Sequence, residues 1–221
     1  TKIKGFGFET LFLYMKFFLY RILVLLGHGI QNNLSYCFCN TCLENVASLM
    51  KKCEKYHCAV LGVSYKTCPV AIRDSLTRTL QNPMTMKSIL ALPGVSEVAV
   101  LSTCNRAEIY IATPYPEALS DTLVNWWAEY AKLDLDSIVP YCFYLIHGEA
   151  VSHLYTVVSS IDSLVLGENQ ILGQVREAFR VAQETKTVGV LLNHLFQSAL
   201  SLGKQVREET GIGMGTVSVA H

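Results

Sequence analysis

The stretch Val100–Ile111 reads VLSTCNRAEIYI and places a cysteine and an arginine between two segments that resemble β-strands. The second segment alternates apolar and polar residues, which is typical of a strand. Because only the four residues STCN separate the two segments, the sequence predicts a tight turn with Cys104 exposed at one end of a sheet. The neighbouring Arg106 favours the thiolate, which is the nucleophilic form of cysteine. An ordinary turn residue is the alternative interpretation of Cys104.

Strand and helix patterns extend outward from this stretch in a regular order. The predicted elements are a strand over 59–64, a helix with Pro69 in its first turn, strands over 97–102 and 106–112, a helix over 116–133 and a strand over 141–146. The order β-α-β-β-α-β is that of a ferredoxin-like unit. Three helical segments follow, over 149–160, 168–185 and 190–209. We therefore expect an α+β fold, a ferredoxin-like βαββαβ sandwich followed by a helical subdomain.

The composition narrows the function classes. The chain has 221 residues, 18 basic and 18 acidic, so no overall charge points to nucleic acid or an anionic membrane as a partner. The eight cysteines lack the spacing of a secreted disulfide framework, and no secretory signal is evident. We expect an intracellular protein with mostly free cysteines.

The first 56 residues differ from the remainder and are expected to form an extension of unknown role. Residues 5–29 are apolar, but charged residues interrupt them too often for a membrane-spanning helix, so a buried or interfacial helix is expected. Cys39 and Cys42 form one knuckle of the kind found in zinc sites, whereas Cys53 and Cys58 form only a loose second one. We expect ordinary apolar cysteines and no metal, with zinc binding as the alternative.

Four segments, in this order, resemble motifs of the glutamyl-tRNA reductase family. They are LGVSYKTCPVAIRDSL (61–76), LSTCNRAEIY (101–110), HLYTVVSSIDSLVLGENQILGQVREAF (153–179) and LFQSALSLGKQVREETGIGMGTVSV (195–219). The first family motif normally ends in His-Lys-Thr-Ala-Pro, so Tyr65 and Cys68 are departures from it. The resemblance covers residues 57–219 and leaves the N-terminal extension unmatched.

The resemblance implies a function and the residues that carry it. Cys104 is implied to attack the glutamyl ester of glutamyl-tRNA and form a thioester, which NADPH reduces to glutamate-1-semialdehyde in tetrapyrrole biosynthesis. His153 is implied as the residue that transfers protons. The guanidinium of Arg106 offers paired donors that suit a substrate carboxylate. The motif positions implied to bind substrate are Thr103, Asn105, Arg106, Ser163, Glu168, Asn169, Gln170 and Gln174.

The resemblance also sets expectations for domains and cofactor. No G-x-G-x-x-G follows a predicted strand, so we expect the NADPH site in a domain missing from this chain. The predicted divisions are an extension (1–56), a catalytic core (57–147), a helical substrate-binding part (148–213) and the start of a linker (214–221). A chain of this kind is expected to carry out only the acyl-transfer half of the reaction. The alternative is a reductase remnant that binds tRNA or a protein without turnover.

The expected partners follow from the same resemblance. They are glutamyl-tRNA, a second copy of the enzyme joined through a missing C-terminal helix, and the downstream glutamate-1-semialdehyde aminomutase. We expect no membrane partner and a cytoplasmic location, with the plastid stroma as the alternative.

Overall fold

The computed structural model describes residues 56–162 and 170–210, where the predicted strands and helices are present with shifted boundaries and two short helices are added. The elements are β1 (His57–Ser64), α1 (Val70–Leu80), α2 (Met84–Leu90), β2 (Glu97–Ser102), β3 (Arg106–Thr113), α3 (Ser120–Ala131), α4 (Leu135–Ile138), β4 (Phe143–Ile146), α5 (His147–Val158), α6 (Gln170–Glu184) and α7 (Val190–Thr210). Short 3₁₀ turns cover Pro116–Ala118 and Val139–Tyr141. The predictions for residues 1–55 and for the linker from 214 lie outside the described residues.

The four strands form one sheet in the order β2-β3-β1-β4, and every neighbouring pair is antiparallel. A mixed fold of helices with a four-stranded antiparallel sheet agrees with the expected α+β class. In this order each helical connection joins two strands that have one other strand between them. The carboxyl ends of β1 and β2 therefore lie at the same end of the sheet.

The hairpin of β2 and β3 closes through Thr103. Its N–H donates to the carbonyl oxygen of Arg106 at 2.9 Å. Its hydroxyl oxygen accepts the N–H groups of Asn105 and Arg106, each at 3.2 Å. A short hydroxyl side chain that bonds its own backbone in this way is a common means of closing a turn. Cys104 is the exposed residue inside this turn, as the sequence predicts.

Both faces of β3 are buried, although alternation of its residues is typical of a strand with one face in water. The apolar face carries Ala107, Ile109 and Ile111. The other face carries Glu108 and Tyr110, and the helices that follow β4 cover it. Tyr110 packs edge-to-face against Phe196 of α7, with ring centroids 5.4 Å apart. A second helical layer thus makes the polar face of β3 part of the interior.

Glu97 joins this helical layer to the edge of the sheet. Its carboxylate accepts the N–H groups of Leu191 and Leu192, at 3.0 and 2.7 Å, in the first turn of α7. An acidic group at a helix N-terminus satisfies otherwise unpaired N–H groups and suits the helix dipole. Gly189 leaves the room that this requires, since a Cβ there would lie 2.6 Å from Oε1 of Glu97.

The structure differs from the sequence-based expectation at element boundaries. The sequence predicts neither α2, a seven-residue helix that begins after Pro83 and has no side-chain cap, nor the four-residue helix α4. The fourth strand begins at Phe143, not residue 141, because Val139–Tyr141 form a 3₁₀ turn. Across residues 56–162 and 170–210, no helix combines the length and apolar character needed to cross a bilayer.

Candidate active site

The turn that carries Cys104 is held by hydrogen bonds from two neighbouring segments. Nε of Arg73, a buried residue of α1, donates to the carbonyl oxygen of Cys104 at 3.1 Å, and its Nη1 donates to that of Cys68 at 2.9 Å. The N–H of Tyr65 donates to the carbonyl oxygen of Asn105 at 2.8 Å. The backbone of the turn is therefore fixed while Cys104 stays exposed.

These contacts also explain how Tyr65 and Cys68 are accommodated at positions where the related motif has other residues. Tyr65 contacts the turn through its backbone N–H, and Cys68 is linked to it through its backbone carbonyl oxygen and Arg73. Neither hydrogen bond depends on the side chain. The two departures therefore leave the support of the turn intact.

Arg106 lies at the start of β3, and its side chain is only 2% exposed. Nη1 contacts Oε1 of Glu108 at 2.7 Å, and Nη2 contacts Asp162 twice, at 3.0 Å to Oδ2 and 2.5 Å to the carbonyl oxygen. Burial opposes the charge of Arg106, but the two carboxylates outweigh it and raise its pKa. Arg106 is therefore a buried cation with both terminal nitrogens paired.

Glu108 is fully buried and accepts three hydrogen bonds. Besides Arg106, the donors are the hydroxyl of Tyr110 at 2.6 Å and Nε2 of His153 at 2.8 Å. Burial alone would raise the pKa of Glu108, but His153, Arg106 and Tyr110 lower it from 4.5 to about 2. The carboxylate is therefore ionised at neutral pH. Because it can only accept, Nε2 of His153 carries the proton in this contact and leaves Nδ1 as an acceptor in the neutral ring.

His153 extends from α5 and is held from two sides. Glu108 fixes its Nε2, and the ring of Phe143 in β4 lies against it at a centroid distance of 5.0 Å. Gly62 on β1 makes room for this arrangement, since a Cβ there would lie 2.6 Å from Phe143 and 2.9 Å from Glu108. The imidazole is thus placed by the sheet and not by α5 alone.

Asp162 extends the network to the surface. Its carboxylate forms an ion pair with Lys66, whose side chain is 52% exposed, as well as with Arg106. Burial would raise the pKa of Asp162, but Lys66 and Arg106 lower it. A continuous series of polar contacts therefore runs from Lys66 through Asp162, Arg106 and Glu108 to His153.

The predicted substrate-binding residues fall into three groups. Thr103, Asn105 and Arg106 lie with Cys104 at the turn. Gln170 and Gln174, in the first turns of α6, line a cavity together with Ser102 of β2. Ser163, Glu168 and Asn169 lie outside the described residues. The described parts bring no three potential metal-ligating side chains together.

Sequence reasoning missed four residues that build this site: Arg73, Glu108, Tyr110 and Asp162. The available signal was at Gly62, because a glycine inside a strand pattern marks a close approach of another group. Gly62 pairs with Glu108 across β1 and β3. Asp162 carried no comparable signal, since its partner Arg106 is 56 positions away.

The fold and the site together define an α+β domain that presents an exposed cysteine beside a buried network of charges. The family model described as the N-terminal domain of glutamyl-tRNAGlu reductase matches residues 61–210. The chain belongs to this family.

Individual relatives agree with this assignment. Glutamyl-tRNA reductase of Synechococcus elongatus is 42% identical over 165 residues, which are 74% of this chain and 38% of that protein. The protein of the same name from Trichodesmium erythraeum is 41% identical over 165 residues, 73% of this chain and 38% of its own length. The solved glutamyl-tRNA reductase of Methanopyrus kandleri superposes with a TM-score of 0.57 at 27% identity, over 69% of this chain and 34% of that one. The chain thus spans well under half the length of these relatives, whose name is that of an oxidoreductase.

Proposed function

We propose that this chain carries the acyl-transfer half of the glutamyl-tRNA reductase reaction. The Cys104 thiolate attacks the carbonyl carbon of the glutamyl ester on the terminal ribose of glutamyl-tRNA. A carbon–sulfur bond forms, the carbon–oxygen bond to ribose breaks, and the ribose oxygen leaves with a proton. One observation carries the proposal: Cys104 is exposed on a turn that hydrogen bonds hold from both sides.

His153 transfers the proton in this proposal: it takes up the proton that the Cys104 thiol loses on forming the thiolate and gives it to the ribose oxygen. Glu108 holds Nε2 of the ring, so the proton exchanged with the substrate is at Nδ1. Imidazole groups exchange protons in the neutral range, which suits a leaving alkoxide. Glu108 acts as a positioning residue, because it contacts His153 and not the substrate.

The substrate-binding residues remain those of the family motifs: Thr103, Asn105, Arg106, Ser163, Glu168, Asn169, Gln170 and Gln174. The position of Gln170 and Gln174 beside a cavity supports their inclusion. Both terminal nitrogens of Arg106 already contact carboxylates of the chain, and its side chain is 2% exposed, so a substrate carboxylate would share the guanidinium with Glu108 and Asp162. The contact therefore stays a prediction.

Reduction of the thioester to glutamate-1-semialdehyde, a step in tetrapyrrole biosynthesis, is proposed for the complete enzyme with NADPH as hydride donor. The described residues do not fit a dinucleotide. A pyrophosphate needs glycines between a strand and the following helix, and the connections from β1 to α1 (YKTCP) and from β3 to α3 (PYPEAL) contain none. No step of the reduction is therefore assigned to these residues.

The proposal extends to fold class, domains and partners. We assign the sheet to the ferredoxin-like class because of its order β2-β3-β1-β4, with 57–147 as the catalytic core and 148–213 as the helical part. A homodimer formed through a C-terminal helix, contact with the downstream aminomutase, and a location in the cytoplasm or plastid stroma remain predictions.

The test is to incubate the chain with glutamyl-tRNA, with and without NADPH, and to follow free tRNA, glutamate and semialdehyde. We expect release of tRNA and slower release of glutamate as water hydrolyses the thioester. NADPH is expected to change neither rate, and Cys104→Ser to abolish both, with circular dichroism confirming the fold. Semialdehyde that depends on NADPH would show that these residues do hold the cofactor. No deacylation by a well-folded chain would favour a remnant that binds tRNA or a protein without turnover.

A further inference from the structure

Helix α5 carries His153, and a tight turn closes the C-terminal end of this helix. The N–H of Ser160 donates to the carbonyl oxygen of Val157 at 3.0 Å, and that of Ile161 donates to the carbonyl oxygen of Thr156 at 3.3 Å. These two bonds form the Schellman motif, in which the residue after the C-cap has a left-handed backbone and is usually glycine. Here that residue is Ser160, with a φ of 58°. A residue other than glycine keeps this conformation only where the surrounding structure supports it.

Arg207 of α7 supplies such support. Its Nη1 donates to the carbonyl oxygen of Val158, the last residue of α5, at 3.0 Å, and its Nη2 donates to Oγ of Ser160 at 2.7 Å. Nη1 also donates to the carbonyl oxygen of Gly203 within α7 at 2.8 Å. A cation at the C-terminal end of a helix bonds its last carbonyl groups and suits its dipole. A planar guanidinium that bonds both the helix end and Ser160 therefore holds the turn in one geometry.

The close packing of α7 against its neighbours fixes the position from which Arg207 reaches the turn. Gly203 allows this packing, since a Cβ there would lie 3.1 Å from the carbonyl oxygen of Val158 and 2.8 Å from Leu172 of α6. Arg207 is half-buried, and burial lowers its pKa. Hydrogen bonds of a partly desolvated cation are stronger than those of a cation in water. The contacts of Arg207 thus form at a packed helix junction and not on an open surface.

The same turn leads directly to the candidate active site. Asp162, two residues after Ser160, contacts Arg106 through its carbonyl oxygen at 2.5 Å and its carboxylate at 3.0 Å. Arg106 in turn pairs with Glu108, which holds Nε2 of His153. The segment that follows α5 is therefore held between two arginines, one on β3 and one on α7.

We infer that Arg207 is a positioning residue for acyl transfer. It fixes the turn at Ser160 and so keeps Asp162 against Arg106. That contact keeps in place the network of charges that orients His153. Arg207 acts through the turn and not by contact with the substrate. The inference rests on the proposed function, because it takes acylation of the exposed cysteine as the reaction concerned.

Three variants separate this role from a general loss of stability. Arg207→Met removes the guanidinium and keeps an unbranched side chain of good helix propensity. Asp162→Asn removes the carboxylate that the turn positions. Lys204→Met makes the same change of cation to methionine at an exposed position of α7 and is the matched control. Arg207→Lys, which keeps a cation beside the end of α5, takes the place of Arg207→Met if that variant does not fold.

The first measurement is the single-turnover rate of Cys104 acylation by the full chain at saturating glutamyl-tRNA. We expect Arg207→Met and Asp162→Asn each to lower this rate about tenfold, and Arg207→Lys about threefold. Because both positions act through one contact with Arg106, the double variant should be within about twofold of Asp162→Asn, whereas independent effects would multiply to about a hundredfold. Lys204→Met should stay within about twofold of the parent, and iodoacetamide should alkylate Cys104 equally in all variants.

The second measurement needs no turnover. The side-chain nitrogen signals of Arg106 and His153, observed by NMR in the free chain, report the geometry of the network. Arg207→Met should shift both signals, as Asp162→Asn does, and Lys204→Met should leave them unchanged.

Effects that multiply in the double variant, or signals of Arg106 and His153 that Arg207→Met leaves unchanged, would overturn the inference. An equal loss of rate in Lys204→Met would also overturn it, by assigning the effect to the charge of α7. A folded parent that glutamyl-tRNA does not acylate would contradict the proposed function. The NMR signals would then still decide whether Arg207 positions the network.

Discussion

The two faces of β3 are both buried, but they are stabilised in different ways. Ala107, Ile109 and Ile111 pack on one side, and their burial is favourable in itself. Arg106 and Glu108 lie on the other side, where burial costs free energy that only their mutual pairing and further hydrogen bonds offset. One face stabilises the domain, whereas the other holds His153 in place.

The comparison predicts that the two faces respond differently to small changes. On the apolar face, loss of one methylene slightly reduces the buried apolar area and does not change the contacts of the candidate site. On the polar face, loss of one charge leaves its partner buried and unpaired, so the cost exceeds the value of a single contact. Substitutions at adjacent positions of β3 should therefore distinguish the contribution of one face from that of the other.

The largest effect on stability is expected for Glu108→Gln. This change leaves Arg106 buried with only Asp162 as its counter-charge and weakens the contact with His153. We expect the free energy of unfolding to fall by about 3–5 kcal/mol, as for other broken buried ion pairs, and acylation of Cys104 to fall with it. Urea unfolding and single-turnover acylation measure the two effects.

The matched control is Ile109→Val, one position further along β3. It should lower the free energy of unfolding by about 0.5–1.5 kcal/mol and leave the acylation rate unchanged. If Glu108→Gln is no less stable than Ile109→Val, the stability of the polar face does not depend on the pairing of Arg106 with Glu108.

Acid should weaken the polar face selectively. Because the pKa of Glu108 is lowered from 4.5 to about 2 in the folded chain, its contribution to stability is complete above pH 4.5 and is lost as the pH falls toward 2. The free energy of unfolding of the parent should therefore decline across this window more steeply than that of Glu108→Gln. If the free energies of unfolding of the parent and of Glu108→Gln fall equally between pH 4.5 and 2, Glu108 is not the group that causes the loss of stability.

Asp162→Asn should have an intermediate effect. The asparagine keeps the backbone carbonyl contact with Arg106 at 2.5 Å but loses the ionic contacts with Arg106 and Lys66. We expect a loss of about 1–3 kcal/mol in the free energy of unfolding and a lower acylation rate. Lys66→Met removes the exposed partner alone and should cost less than about 1 kcal/mol. Equal costs for the two variants would show that Asp162 acts at the surface and not through Arg106.

The smallest perturbation tests the turn itself. Among the four cysteines in the described part of the chain, Cys104 should react first with iodoacetamide because it is exposed. Burial raises the pKa values of Cys58 and Cys142 to about 12, so both remain thiols. Peptide mapping at short reaction times resolves the order. Modification of Cys58 or Cys142 before Cys104 would contradict the assignment of the nucleophile.

The sequence predicts the strands, the tight turn and the exposure of Cys104, because these depend on local periodicity and on a four-residue connection. It does not predict that the second face of β3 is buried. Alternation of apolar and polar residues shows that the two faces of a strand differ in character. It does not show whether helices cover the polar face, because that layer does not change the periodicity of β3.

The site shows the same limit. The motifs predict roles for Cys104, Arg106 and His153, but they do not predict the partners of Arg106. Asp162 is 56 positions away and meets Arg106 only after α5 has packed on the sheet. A planar guanidinium beside an exposed cysteine suggests a substrate contact, and only the three-dimensional structure shows that two carboxylates of the chain already occupy the guanidinium.

The most direct test is to find the thioester. The chain is mixed with glutamyl-tRNA, quenched in acid within the first turnover and digested, and mass spectrometry locates the glutamyl adduct. We predict an adduct on the peptide that contains Cys104, sensitive to hydroxylamine and absent from Cys104→Ser. An adduct on any other cysteine, or no adduct on a chain that circular dichroism shows to be folded, would contradict the account.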